Sequence, residues 1–244
     1  MCRRYEFLTR RRLMMNVKLI GIFSCALILT GCAVPGTSTS FNTDPKQTGF
    51  SYEKRIDRPQ TDVWDTMVKN IAQSFFVINN IDKNSRIINL SISSDKPQDY
   101  LDCGRTTRTY NDGKTTTTYE YGMVDGFTTY IVASPNQPSP YFSQRFAIAR
   151  SAKLDGRANI YVAPEGSGTL VSVNAKAIVR ITLSGEVQNV HPMGNIVGRH
   201  PFPPQTGEVT GITKGSTVNT MSDGTRITCY STGNLEKAIL DLTE

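Results

Sequence analysis

Period-two alternation of apolar and polar residues constrains this chain more than any other feature. Ile88, Leu90 and Ile92 alternate with Asn89 and Ser91. In a strand such positions fall on opposite faces, so this segment has one buried side. Residues 76–81 and 86–93 read as two strands around Asp82-Lys83-Asn84-Ser85. Residues 50–56 predict an earlier strand, and beyond Cys103 the chain turns almost wholly to strands. Residues 105–110 and 115–121 flank Asn111-Asp112-Gly113-Lys114, a strong hairpin signal. Further strands are expected at 128–133, 145–153, 159–163, 169–175 and 176–183, with turns at Asp155-Gly156 and at 165–168. Residues 217–221 and 225–230 predict a last hairpin around Asp223-Gly224. Residues 185–215, rich in Gly and Pro and including His200-Pro201-Phe202-Pro203-Pro204, predict a long loop.

One segment departs from this pattern. Between residues 59 and 75 the apolar positions Val63, Trp64, Met67, Val68, Ile71 and Phe75 recur every three or four residues. That spacing gives an amphipathic helix, and Pro59 is tolerated at its start. Trp64, the sole tryptophan, reads as a core anchor against a sheet. Residues 233–242 predict a short closing helix with Leu235, Ile239 and Leu242 on one side. The expected class is therefore α+β: an antiparallel β-rich domain with one long amphipathic helix packed on the sheet and a short C-terminal helix. A chain of 244 residues that is 38% apolar can bury a real core. One domain over residues 50–244 is the simplest division, with a split near residue 104 as the alternative.

The N-terminal segment has a different composition. Residues 1–31 hold six bases (Arg3, Arg4, Arg10, Arg11, Arg12, Lys18) and one acid, Glu6. They supply +5 of the formal charge of +6, so the rest of the chain is nearly neutral. The apolar run at 19–30 would reach only about 18 Å as a helix, against a bilayer core of about 30 Å. A basic stretch before a short apolar run is the form of a secretory signal. A start at Met14 or Met15 would give a more usual leader length. Residues 33–49 are polar and rich in breakers, and read as a flexible tether spanning roughly 20–25 Å.

Leu29-Thr30-Gly31-Cys32 places a large aliphatic, a small residue and Gly before Cys at the end of the apolar run. It resembles the lipobox of the type II signal peptide of bacterial lipoproteins. The resemblance implies cleavage before Cys32 and a diacylglyceryl group, with further acylation, on Cys32. Ala33 in place of Asp implies the outer membrane. Two or more acyl chains, at about 0.8 kcal/mol per buried CH₂, anchor stably. The strand–helix–strand–strand opening over residues 32–104 is weakly similar to the helix-grip domains of a lipoprotein of the outer-membrane barrel assembly machinery. That similarity implies an envelope-assembly role and carries over no functional residue beyond Cys32.

The same resemblance orders the five cysteines. Cys2 and Cys25 leave with the leader and Cys32 carries lipid. Cys103 and Cys229 remain in an oxidising space, which favours a disulfide between them over two separate buried thiols. Such a bridge would close a loop that the chain-entropy model values at roughly 4–5 kcal/mol.

Catalytic signals are sparse. His191 and His200 fall in the Gly/Pro-rich stretch without a metal-ligand spacing, and no CxxC is present. No nucleophile elbow, zinc-protease helix or phosphate-binding loop occurs. Asp99 and Asp102 beside Cys103 read as turn residues or solvated charges, and Arg105 and Arg108 near Tyr110 as the polar face of a strand. No cofactor or metal is expected. Nucleic acid is not an expected partner, because the body lacks the positive charge that dominates such binding. The expectation is a non-enzymatic lipoprotein on the periplasmic face of the outer membrane, held by its lipid. Its role would be structural, assembly or protein-binding, with envelope proteins as partners. An accessory lipoprotein of a secretion or conjugation apparatus is the alternative, and a cell-wall hydrolase the alternative of another class.

Overall fold

A long two-stranded ribbon organises the molecule. The computed structural model describes residues 36–135, 141–220 and 226–244. The expected lipobox residues Leu29, Thr30, Gly31 and Cys32 lie outside them, as does the turn at Asp223-Gly224. In chain order the strands are β1 (Thr37–Thr43), β2 (Glu53–Ile56), β3 (Val77–Asp82), β4 (Ile87–Ser94), β5 (Leu101–Asp102), β6 (Arg105–Asn111) and β7 (Thr116–Gly122). They continue with β8 (Phe127–Ala133), β9 (Ser143–Glu165), β10 (Gly168–Val190), β11 (Ile196–Ile212), β12 (Ser216–Thr220) and β13 (Arg226–Ser231). Helix α1 (Gln60–Ala72) follows β2, and α2 (Asn234–Leu240) follows β13.

β9 and β10 each run 23 residues and stay antiparallel partners from Glu165↔Gly168 out to Ser143↔Val190. At about 3.4 Å per residue such a ribbon approaches 75 Å before twist and bending shorten it. Its tight turn puts Gly166 at φ +60, the left-handed backbone that two-residue hairpin turns demand. The main sheet orders β11-β10-β9-β4-β3, with β2 added on β10 and β8 on β9. A second sheet orders β1-β6-β7, and a third β12-β13-β5. All the pairings are antiparallel, so the β-rich class holds. The described residues form one compact unit.

Four expectations need correction. The separate strands and the turn at Asp155-Gly156 are instead continuous parts of β9 and β10. Gly156 lies opposite Ile92 of β4, and a Cβ on it would come within 2.8 Å of Ile92 Cγ2. The glycine marks close packing between strands, not a turn. Residues 185–215 are mostly strand: β10 continues to Val190 and β11 occupies 17 residues. Pro201, Pro203 and Pro204 fit there because β11 is an edge strand, where a missing N–H need not interrupt a ladder. The tether is only partly irregular. β1 pairs with β6 along its whole length, and Thr39 and Thr109 share a hydroxyl hydrogen bond of 2.6 Å.

The expected long helix is also shorter than its pattern. α1 has 13 residues and ends at Ala72. Ser74 Oγ donates to the Ile71 carbonyl and accepts from the Phe76 amide. That side chain satisfies a helix-end carbonyl and turns the chain toward β3. Phe75 therefore leaves the apolar stripe and stands 63% exposed. The buried helix residues Val63, Trp64, Met67 and Ile71 share one core with β4, β9, β10 and α2, through Ile88, Leu90, Leu154, Ile160, Val173 and Ile239. Trp64 is buried in that core, as its place on the stripe predicts. Among the described residues no helix is long and apolar enough to cross a membrane.

Candidate functional site

The sequence-predicted residues separate cleanly. Cys103 and Cys229 stand at disulfide-bonding distance and are both buried. They join the segment between β5 and β6 to β13. Asp102 is not a turn residue but the last residue of β5, opposite Tyr230, and its carboxylate accepts from the Gly104 amide at 2.8 Å and the Lys46 amide at 3.0 Å. Asp99 sits in a 3₁₀ turn, where its backbone carbonyl takes hydrogen bonds from Thr232 and Asn234. His191 closes the β10–β11 turn and His200 lies on β11, both exposed. Among the described residues no group of three or more His, Cys, Asp or Glu is placed to hold a metal ion.

Two features stand out that those residues do not include. The first is the free edge of the main sheet. β3 pairs with β4 on one side only. Val77 is 61% exposed, Ile78 next to it is also exposed, and so is Ile87 at the far end of the β3–β4 pair. Phe75 and Phe76 pack ring to ring at 4.4 Å just before it. A groove of about 570 Å³ adjoins this edge, lined by Val77, Ser91, Ser93, Arg157, Lys176 and Ile178. Exposed apolar side chains beside an unpaired backbone edge are a surface that another chain can add to.

The second is a cleft of about 400 Å³ where β6 and β7 face β8, β9 and β10. Its lining includes Arg108, Tyr121, Tyr130 and Arg150. Tyr121 and Tyr130 stack with centroids 5.2 Å apart and planes within 7°. The Arg108 guanidinium lies over Tyr130 at 5.0 Å, and that of Arg150 over Tyr121 at 5.7 Å. The four side chains form a cation–ring–ring–cation column. Each ring face attracts the cation above it.

The electrostatics follow from burial. Arg150 is only 6% exposed. Burial lowers its pKa, opposed by the neighbouring Tyr121, Tyr130 and Asp125. Burial, and then the adjoining Tyr121, push the Tyr130 hydroxyl up to about 12, with Arg108 pulling the other way. Arg150 donates from Nη2 to the Met123 carbonyl. Its Nη1, and Nε of Arg108, are buried without a hydrogen-bond partner among the described residues. The strand-face reading of Arg108 is thus incomplete, since the side chain reaches inward. Arg150 was also legible. Residues 150, 152 and 154 share one strand face, and an Arg stands where Ala152 and Leu154 continue the core.

No family model, curated protein or solved structure matches the chain.

Proposed function

We propose that this chain is an outer-membrane lipoprotein, anchored through Cys32, whose periplasmic domain serves a structural, assembly or protein-binding role in the bacterial envelope. The observation that carries the binding role is the apolar free edge at β3, with Val77 and Ile78 exposed beside the Arg157–Lys176 groove. A partner strand laid along β3 would gain main-chain hydrogen bonds from the edge. Its alternate side chains would fall beside Val77 and the groove. The bonded Cys103–Cys229 pair supports the exported address, because such bridges persist in oxidising compartments.

A photo-activated crosslinker placed at Val77, in the native membrane, tests the binding role. Covalent adducts with envelope proteins are expected at Val77 and not at Lys114, which lies in the turn between β6 and β7 of another sheet. Equal labelling at both positions, or none at Val77, would remove the edge as a docking surface. The address is tested separately by Cys32→Ser, which is expected to abolish acyl labelling and leader cleavage.

A further inference from the structure

The Arg–Tyr cleft carries more positive charge than its surroundings balance. Seven ion pairs form among the described residues, and none includes Arg108 or Arg150. The nearby carboxylate is Asp125, and its Oδ2 already accepts from the Gly122 amide at 2.7 Å. Tyrosine faces attract the two cations but take none of their N–H hydrogens. Burying a charged N–H without an acceptor is costly, so a fold that holds two around one cleft has a use for the charge they carry.

We propose that the cleft is a binding site for an oxyanion, a carboxylate or phosphate group on a small molecule. The two guanidiniums supply the positive charge, and the terminal N–H groups of Arg108, the less buried of the two, supply the donors an anion would meet, since Arg108 Nε and Arg150 Nη1 lie beneath the surface. Guanidinium groups favour planar oxyanions because their N–H bonds point in fixed directions. Tyr121 and Tyr130 hold both guanidiniums in place by stacking, so little side-chain freedom is lost when an anion arrives. The volume of about 400 Å³ suits a small ligand. Ser40, Asn42 and Gln205 around it add neutral hydrogen-bonding groups for the remainder of that ligand. This site does not depend on the membrane address or on the β3 edge.

The test uses the full chain labelled with ¹⁵N, titrated separately with inorganic phosphate, with acetate and with sodium chloride at matched ionic strength. The Arg108 Nε–H resonance is expected to move, with saturation, for phosphate or acetate and not for chloride. Which of the two saturates first separates phosphate from carboxylate chemistry. At about ten times the dissociation constant, the saturating anion should raise the folded-to-unfolded ratio about tenfold. Arg108→Gln and Arg150→Met are each expected to abolish that gain. An equal response to all three salts would overturn the proposal, and so would an Arg108→Gln variant that keeps the wild-type gain. Arg108 is less buried than Arg150, so its variant and the wild-type resonance decide the matter even where Arg150→Met fails to fold.

Discussion

The two halves of the β9–β10 ribbon share one backbone ladder and differ in what covers them. Toward the turn, Leu154, Ala158, Ile160, Val162, Val171, Val173 and Val179 are buried in one aliphatic core with residues of α1 and α2. Toward the open end, the same strands carry Arg145, Arg150 and Gln188, met by tyrosines and polar groups. Gln188 is buried and accepts from Arg145 Nε at 2.8 Å, while Arg145 lies over the Tyr110 ring. Hydrogen bonds along the ladder are alike in both halves, so the ladder does not distinguish them. Apolar burial fixes the first half and leaves it chemically inert. In the second, fixed charge is held within a cleft, at the cost of partly unmet N–H groups.

Breaking each half should therefore have different consequences. The largest effect is expected at the Cys103–Cys229 bridge, which ties the segment leading into β6 to β13 across 126 positions. Replacing both cysteines with Ala should cost about 4 kcal/mol in denaturant unfolding, and the same loss should follow on reducing the native chain. In the aliphatic half, Leu154→Ala removes a fully buried side chain and should cost about 3 kcal/mol. In the polar half, pH is the sharper probe. An unfolded chain loses its tyrosine protons near pH 10, whereas Tyr130 in the fold holds its proton to about 12. Below pH 10 both states are protonated and the contribution is intact. Between pH 10 and 12 only the unfolded state ionises, so stability falls across that window by an amount on the order of 1 kcal/mol. Tyr130→Phe should flatten this decline in unfolding curves collected at successive pH values. The smallest effect is expected for Arg150→Met in chloride buffer. Four residues from Leu154 on the same face, it should change stability by less than about 1 kcal/mol, because removing an unpaired buried charge offsets the lost bond to Met123. A loss there as large as that at Leu154 would show that the two halves are built alike.

Most strand positions were legible where one face is apolar and the other is not. β4 is the clearest case, with Ile88, Leu90 and Ile92 buried and their neighbours less so. β1 was hidden because both its faces are polar and its partner β6 is polar too, so no alternation marked it. β11 was hidden by its prolines, which report a sheet edge and not a loop. The merging of β9 into one strand could not be read locally, because Gly156 takes its meaning from Ile92, a residue 64 positions earlier. The Cys103–Cys229 pairing was readable by counting. The cleft was not, because its parts come from β6, β7, β8 and β9 and no short motif joins them. Only Arg150, a charge in an inward position, signalled it.

The covalent link at Cys103 and Cys229 also has a mechanical meaning. It encloses β6 to β12 and most of β13, while β1 to β5 lie on its N-terminal side. A pull applied from the N-terminal side would peel β1 away from β6 rung by rung. At Cys103 the force would pass straight through sulfur to Cys229, bypassing everything between. The bypassed length, on the order of 400 Å when drawn taut, would be withheld from any extension until the bridge is reduced. In a single-molecule stretching record it should appear as a step present only after thiol treatment.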